Sequence, residues 1–208
     1  MIIAVEGIDG AGKHTLVDAT LRALPPTITA QTLAFPRYDE SAAAQLAQAA
    51  LSGKMGDMTD SAYAMAAMFA LDRHGAADAL GAATGAAEGL LILDRYSASN
   101  AAYTWARTGD RAAVGWVEEL EFGRLGLPRP DLQVLVPTSP RVAGERAERR
   151  EASDTSRTRD RYERDAALQR ATSAAYAALA EEGWAGRWLV TAEPADIIEA
   201  IAEISHPG

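Results

Sequence analysis

A short apolar run followed by a glycine-rich turn is the feature of this chain that most constrains its fold. Ile2–Val5 read as a buried strand, and residues 6–15 (Glu-Gly-Ile-Asp-Gly-Ala-Gly-Lys-His-Thr) carry the spacing GxxxxGK ahead of a helical pattern from Leu16 to Leu24. A strand, a turn of this spacing and a helix are together typical of a phosphate-binding loop. The glycines let successive N–H groups point inward, and the lysine reaches the β- and γ-phosphates of a nucleotide. The alternative is a glycine-rich turn that matches by chance.

The loop departs from the usual pattern at one position. A Ser or Thr hydroxyl that ligates Mg²⁺ normally follows the lysine, but His14 stands there. Because Mg²⁺ prefers oxygen ligands, an imidazole replaces that hydroxyl poorly, and Thr15 comes one residue too late. The predicted nucleotide-binding residues of the loop are Gly7, Gly10, Ala11, Gly12, Lys13, His14 and Thr15.

Length, charge and composition favour one domain that acts on small anionic ligands. The 208 residues suit a single α/β domain covering 1–208. The net charge of −9 argues against a nucleic-acid-binding surface, and the absence of cysteine removes disulfides and thiolate metal sites. No apolar run has the length of a membrane span, and the chain begins directly with a core strand. We therefore expect a cytoplasmic protein with no nucleic-acid and no membrane partner.

Short apolar runs alternate with helical stretches along the chain. This alternation predicts an α/β fold, a five-stranded parallel sheet with helices on both faces and a site at the carboxyl ends of the strands. A longer helical pattern extends from Thr59 to Ala83. The predicted strands are Ile2–Val5, Gln31–Phe35, Leu90–Leu93, Leu132–Val136 and Trp188–Val190.

Further side chains suited to nucleotide chemistry follow the third strand and lie in the long helical pattern. The Asp-Arg pair at 94–95 offers a carboxylate for the water shell of a metal and a guanidinium for a phosphate. Asn100 and Tyr103 share one helical face, as do Phe69 and Arg73, and an aromatic ring beside a guanidinium suits a nucleobase. Core packing of Phe69 and solvation of Arg73 are the open alternatives.

An arginine-rich segment follows the fourth strand. Seven arginines fall within 144–164, and Arg146, Arg149 and Arg150 lie on one helical face. An arginine aimed at a phosphoryl group in transfer can raise its rate by roughly 10³–10⁵. Acidic residues interleave with these arginines, so surface ion pairs are the alternative. Residues 150–158 are the least apolar stretch and predict a mobile lid or an ordinary surface loop.

Together these motifs resemble the thymidylate kinase family. The matching stretches are the loop with Asp9, Phe-Pro-Arg-Tyr at 35–38, Phe69 with Arg73, Asp-Arg-Tyr at 94–96 with Ser99, Asn100 and Tyr103, and Asp-Arg-Tyr-Glu at 160–163. The resemblance implies a three-layer P-loop kinase fold with a short arginine-rich lid at about 144–160, and ATP and Mg²⁺ as cofactors. It implies transfer of the γ-phosphoryl of ATP to dTMP, which gives dTDP and ADP. Because Gly10 and not an arginine follows Asp9, the chain resembles the bacterial type, in which lid arginines supply the positive charge.

The resemblance also implies roles around the base and the sugar. Phe69 would stack on thymine, Arg73 would donate to its O4, and Asn100 would contact its Watson–Crick edge. Pro36 would line the space for the methyl group, and Tyr103 would sit beside C2′, where it crowds out a ribose hydroxyl. The implied substrate-binding residues are Asp9, Pro36, Arg37, Tyr38, Phe69, Arg73, Arg95, Asn100, Tyr103 and Tyr162.

On the phosphate side, the implied task is to hold two polyanions in line, since a phosphate acceptor is already anionic and needs no general base. The implied catalytic residues are Lys13, Asp9, Arg95, Arg150 and Arg146. The lid arginines expected on the phosphates of ATP are Arg146, Arg150 and Arg157. We predict that the metal, lacking the usual hydroxyl, shifts to Asp9, Glu163 and Asp94.

Several other functions stay open. They are a deoxynucleoside kinase, which would need a general base for a neutral hydroxyl; another pyrimidine monophosphate kinase; and a non-catalytic nucleotide-binding homologue, which His14 alone favours. The resemblance implies a homodimer. The Ala/Met-rich stretch Tyr63–Ala70 predicts either its interface or a buried core helix.

Overall fold

The computed structural model describes residues 1–85, 89–153 and 160–205. Its strands are β1 (Ile2–Glu6), β2 (Thr29–Ala34), β3 (Gly89–Asp94), β4 (Leu132–Leu135) and β5 (Trp188–Val190). They form one five-stranded sheet in the order β2-β3-β1-β4-β5, and every neighbouring pair is parallel. The predicted five-stranded parallel sheet is confirmed.

The central strand β1 divides the core into two layers. Ile3 and Val5 belong to one apolar cluster, whereas Ile2 and Ala4 belong to the other, and all four are buried. A strand that is apolar on both faces is typical of a parallel sheet covered by helices on both sides. Within 1–85, 89–153 and 160–205, no helix combines the length and the apolar character needed to cross a membrane.

The helices on the two faces come from different parts of the chain. Leu16, Tyr176 and Ile197 pack into the first cluster, and Leu80 packs into the second. A π-helical turn at Glu119–Arg124 follows α6 directly. The helices are α1 (Lys13–Ala23), α2 (Ala42–Leu51), α3 (Ala62–His74), α4 (Ala77–Gly85), α5 (Ser97–Thr108), α6 (Ala112–Glu118), α7 (Pro140–Ser153), α8 (Arg161–Arg164), α9 (Ala166–Glu181) and α10 (Pro194–Ser205).

The prediction of one helical pattern from Thr59 to Ala83 is wrong in its continuity. A 3₁₀ turn precedes α3, and Gly75 separates α3 from α4. The Ser61 hydroxyl caps α3 by accepting a backbone N–H at 3.1 Å. A Cβ at position 75 would lie 2.8 Å from Nη2 of Arg37. Glycine at the end of α3 therefore leaves room for a guanidinium from the segment after β2.

Neighbouring strands bring the predicted site segments to one edge of the sheet. Val5 pairs with Asp94 and Glu6 pairs with Leu135, so the loop after β1 lies between the segments that follow β3 and β4. The first part of the predicted lid is helical, because α7 reaches Ser153. Residues 154–159 of that lid lie outside the described residues.

Candidate nucleotide-binding site

The turn between β1 and α1 is built around two glycines in the left-handed region. Gly12, the N-cap of α1, has φ 102° and ψ 19°. Gly10 has φ +81°, and a Cβ there would lie only 2.1 Å from the carbonyl oxygen of Ala143 in α7. Both positions disfavour a side chain, and the lack of a Cβ at position 10 lets the backbone of α7 approach the loop closely. The N-terminus of α1 thus faces a tight turn, which is the geometry of an anion site.

We expect Gly10→Ala to destabilise the protein. The left-handed conformation costs a non-glycine residue about 1–3 kcal/mol, and the methyl group also pushes α7 away from the loop. Thermal unfolding should show a Tm lower by at least about 2–4 °C. Gly144→Ala is the matched control, because a Cβ at this position of α7 has no heavy atom within 4 Å. Equal Tm values for Gly10→Ala and the unmodified protein would disprove the tight packing.

Lys13 is folded over the loop. Its Nζ donates to the carbonyl oxygens of Gly7 at 3.1 Å and of Ile8 at 3.0 Å. Burial is the largest influence on the ammonium group; together with the charge of Arg95, and against the opposing charge of Asp9, it lowers the pKa of Lys13 to about 8. The lysine is therefore charged at neutral pH and positioned to meet a phosphate.

The side chains of the two residues after Lys13 are exposed. The side chain of His14 is 83% exposed, and its Nε2 lies 3.5 Å from Oδ2 of Asp18 on the same helix. Thr15 is exposed as well. Nucleotide binding by His14 and Thr15 stays a prediction, to which their backbone N–H groups at the N-terminus of α1 are suited.

The arginine-rich helix α7 contacts the loop from the other side. Nη1 of Arg146 donates to the carbonyl oxygen of Ala11 at 3.1 Å, and the Thr138 hydroxyl donates to the same oxygen at 2.9 Å. Arg149 is exposed. Arg157 and the side chain of Arg150 lie outside what the structure describes. Arg146 is thus the predicted lid arginine whose contact with the loop is seen directly.

A cavity beside the loop brings together the predicted substrate-binding residues, with the exception of Arg37. It extends from Asp9 and Arg95 at the sheet edge to Phe69 and Arg73 on α3. The predicted residues that line it are Asp9, Pro36, Tyr38, Phe69, Arg73, Arg95, Asn100, Tyr103 and Tyr162. Phe35, Leu51, Ser99 and Asp160 complete the lining.

Arg37 hydrogen-bonds to Asp72 on α3 and does not line the cavity. Its Nε donates to Oδ1 of Asp72 at 3.1 Å, and its backbone N–H donates to Oδ2 at 3.0 Å. Nη2 donates to the Asp72 carbonyl oxygen at 2.6 Å. This guanidinium therefore joins the segment after β2 to α3 and is not among the residues that line the cavity, and its role in substrate binding stays a prediction.

At the sugar and phosphate end, Asp9, Arg95 and Tyr103 form one partly buried hydrogen-bond network. Nη2 of Arg95 donates to Oδ1 of Asp9, and the Tyr103 hydroxyl donates to Oδ2 at 2.6 Å. Burial alone would raise the pKa of Asp9, but the charges of Arg95 and Lys13 outweigh it and lower that pKa to about 2. Asp9 is therefore a firmly ionised carboxylate. Nη1 of Arg95 also donates to the Gly7 carbonyl oxygen at 3.1 Å.

At the other end, the cavity is walled by polar groups that are themselves buried. Arg73 is 3% exposed, so the alternative of a solvated arginine is wrong. Phe69 is half-buried and lines the cavity. Nε and Nη2 of Arg73 donate to Glu121 at 2.8 and 2.5 Å, and Nδ2 of Asn100 donates to the same carboxylate at 2.6 Å. This end can present hydrogen-bonding groups to a flat ring.

The predicted metal ligands Asp9, Glu163 and Asp94 do not form a preformed cage. No group of three His, Asp or Glu side chains suited to a metal ion occurs among the residues that the structure describes. Glu163 belongs to the capping box of α8, where its Oε2 accepts from the backbone N–H of Asp160 at 3.2 Å. Asp9, ionised and lining the cavity, has the donor chemistry of a Mg²⁺ ligand, because this ion is usually held by one or two carboxylates together with substrate phosphates.

Sequence reasoning missed the buried partners of the site residues. Glu6 accepts from the Ser99 hydroxyl at 2.6 Å and from the Tyr96 backbone N–H at 2.8 Å. Gln169 donates to Asp9 at 3.4 Å. An acidic residue ending a buried strand was a usable signal for Glu6. Gln169 and Glu121 lie in helical segments, where the sequence offers no such signal.

Comparison with known proteins identifies the family. The thymidylate kinase family profile matches residues 5–201. The chain is 50% identical to the thymidylate kinase of Mycobacterium tuberculosis (strain ATCC 25618 / H37Rv), with 100% of this chain and 98% of that protein covered. It is 33% identical to the thymidylate kinase of Xanthomonas euvesicatoria pv. vesicatoria (strain 85-10), with 79% and 68% covered. A structure of thymidylate kinase from Candida albicans matches with a TM-score of 0.72 at 19% identity, covering 99% of this chain and 93% of that one, which confirms the predicted fold. The chain belongs to the thymidylate kinase family.

Proposed function

We propose that this protein transfers the γ-phosphoryl group of ATP to the 5′-phosphate of dTMP. The observation that carries this proposal is the shared contact of two cations. Nζ of Lys13 and Nη1 of Arg95 both donate to the carbonyl oxygen of Gly7, each at 3.1 Å. A donor phosphate on the loop and an acceptor phosphate at the mouth of the cavity would therefore be held side by side, which is the main requirement of phosphoryl transfer.

The charge state of Asp9 favours a phosphate acceptor over a hydroxyl acceptor. A carboxylate whose pKa is about 2 is a weak base, unsuited to taking a proton from a neutral 5′-hydroxyl. A monophosphate needs no such base, because its second pKa is about 6. This argues against Asp9 as the general base that a deoxynucleoside kinase would need.

Asp9 and Tyr103 together support a preference for deoxyribose. The Tyr103 hydroxyl is fixed on Asp9, and its ring lies 6.1 Å from the ring of Tyr162, centroid to centroid, in a stacked arrangement. With its hydroxyl and its ring both held, Tyr103 would leave no space for a 2′-hydroxyl on a sugar placed beside it.

Mg²⁺ belongs to the proposal as a cofactor. When bound, it would neutralise charge on the transferring phosphates. Asp9 is the residue that fits it best, since its carboxylate stays ionised at all working pH values. The roles of Glu163 and Asp94 as further ligands, and a cytoplasmic location, stay predictions.

A homodimer is the second part of the proposal. Tyr63 and Leu71 on α3 and Trp116 on α6 are exposed large apolar side chains, and the rings of Tyr63 and Trp116 contact edge to face with centroids 4.8 Å apart. An exposed apolar patch of this kind suits a protein partner, and we take a second copy to be that partner. Sedimentation velocity should show twice the mass of the chain; a monomer at micromolar concentration would contradict this.

The proposed reaction is tested by measuring ADP formation from ATP and Mg²⁺ with separate acceptors. We expect turnover with dTMP, less with dUMP, and far less with dCMP, UMP or thymidine. Turnover of thymidine alone would indicate a deoxynucleoside kinase, and preference for another monophosphate would indicate a different kinase of that class. ATP binding without turnover of any acceptor would indicate a non-catalytic homologue.

We expect the affinity for ATP to fall as the pH rises through the pKa of Lys13, which is about 8. The charged lysine binds phosphate, and burial lowers its pKa, so its protonated fraction falls from about nine-tenths at pH 7 to about one-tenth at pH 9. If only the charged form binds, the Kd measured by calorimetry rises about tenfold over this range. Lys13→Arg, which stays charged, should give a flat profile. A constant Kd in the unmodified protein would refute the assignment of Lys13.

A further inference from the structure

Glu121 is an acidic residue whose side chain is fully buried. It lies in the π-helical turn after α6 and is 0% exposed. Its two carboxylate oxygens accept from Nε and Nη2 of Arg73 at 2.8 and 2.5 Å. A π-helical turn is rare and is often found at functional sites. Here it directs a carboxylate to the two polar residues at the inner end of the cavity.

The first consequence concerns Arg73. Burial alone would lower the pKa of Arg73, but the charge and hydrogen bonds of Glu121 outweigh it and raise that pKa. The guanidinium is thus held charged in a buried position, with one edge turned to the carboxylate. Within the described part of the chain Nη1 of Arg73 makes no hydrogen bond, and Arg73 lines the cavity. To a ligand there, Arg73 can offer only donors.

The second consequence concerns the orientation of the Asn100 amide. Its Nδ2 donates to the Ala66 carbonyl oxygen at 3.0 Å and to Oε1 of Glu121 at 2.6 Å. Both partners are acceptors, so the nitrogen and not the oxygen of the amide must face them. Both N–H bonds are then used, and Oδ1 is left as the group that Asn100 offers to the cavity. Asn100 is therefore an acceptor beside the donor Arg73.

A donor beside an acceptor distinguishes one pyrimidine from another. Thymine and uracil present the O4 acceptor next to the N3–H donor, which complements this pair. Cytosine presents the N4 amine as a donor next to the N3 acceptor, which opposes it at both atoms. A site built this way leaves buried polar groups unpaired with the wrong base, and such sites discriminate strongly.

We propose that Glu121 is the positioning residue that determines base selectivity: it holds Arg73 as a donor and Asn100 as an acceptor without touching the base. This inference rests on the proposed function. Because Glu121 contacts both base-reading residues, one carboxylate orients the donor and, together with the Ala66 carbonyl oxygen, the acceptor of the recognition edge.

The test is the selectivity of Glu121→Gln. A glutamine has nearly the same shape, but its NH₂ faces a donor of Arg73 in either orientation, Nε at the Oε2 position or Nη2 at the Oε1 position. At the Oε1 position the NH₂ also faces Nδ2 of Asn100, which disfavours the amide orientation seen here. We expect the ratio of kcat/KM for dTMP to that for dCMP to fall about 10- to 100-fold, while kcat at saturating dTMP and KM for ATP change less than about threefold. Glu121→Asp, which keeps the carboxylate, should recover part of the ratio.

Glu119→Gln is the matched control. Glu119 lies on the same π-helical turn, its side chain is 65% exposed, and it pairs with Arg124 at 3.7 Å. This variant should leave the ratio unchanged. An active Glu121→Gln enzyme with an unchanged ratio would overturn the proposal, as would equal losses for both substrates.

A second measurement covers the case in which Glu121→Gln does not fold, because an unpaired buried Arg73 is costly. N3-methyl-dTMP, which lacks the N3–H donor, should bind the unmodified protein at least about tenfold more weakly than dTMP. Equal Kd values would show that Asn100 is not an acceptor. If the unmodified protein forms no ADP with dTMP at all, the proposed function fails instead, so the two failures are distinguishable.

Discussion

Replacing Lys13 with alanine is expected to lower kcat/KM for ATP by roughly 10²–10³-fold or more. The ammonium group lies over the loop within 3.1 Å of the Gly7 carbonyl oxygen, and it is the cation that would follow the transferring phosphoryl group. In a buried site its charge is worth far more than in water. The other lysine of the chain, Lys54, is exposed and follows α2. Coupled ADP assays at varied ATP give the value directly.

The binding of dTMP separates this effect from misfolding. The cavity groups that we assign to dTMP do not hydrogen-bond to Lys13, so calorimetry of Lys13→Ala with dTMP should give a Kd within about threefold of the unmodified value. Retained turnover in a variant that binds dTMP normally would show that the loop does not hold the donor phosphates.

Removing both Arg146 and Arg150 is expected to lower kcat by about 10³-fold or more. Arg146 reaches the loop at the Ala11 carbonyl oxygen, 3.1 Å away, which places positive charge on α7 next to the proposed donor phosphates. Arg150 follows one helical turn later, so both can act on the same face. If these charges act mainly in the transition state, their removal should reduce kcat more than it raises KM for ATP.

Arg149→Ala is the matched control for this double variant. Arg149 lies on the same helix between the two and is exposed, and unlike Arg146 it makes no hydrogen bond to the loop among the residues that the structure describes. Its loss should change kcat by less than about threefold, as expected of a surface charge. If Arg149→Ala reduced kcat as much as the double variant, the effect would come from the overall charge of α7 and not from aimed guanidinium groups.

The sequence alone determined the fold and the chemistry of the loop. The three inner strands β1, β3 and β4 were readable because each is a short, mostly apolar run that is buried, and β1 is apolar on both faces. The edge strands β2 and β5 are more exposed. Lys13, Gly10 and Gly12 were readable because the spacing of the loop fixes their roles locally. Asn100 with Tyr103, and Phe69 with Arg73, were readable as pairs because helical periodicity places each pair on one face.

Only the tertiary structure decided which partners those side chains have. Arg37 and Arg95 both follow strands, yet Arg37 hydrogen-bonds to Asp72 on α3 and does not line the cavity, whereas Arg95 hydrogen-bonds to Asp9 and lines it. Glu121 is far from Arg73 in the sequence, and no local sequence pattern in its π-helical turn predicts a buried carboxylate. Hydrogen bonds between distant segments depend on how helices pack, and a periodic pattern specifies which face is buried but not what that face meets. For this reason the residues that touch the ligand were visible in the sequence, and the residues that orient them were not.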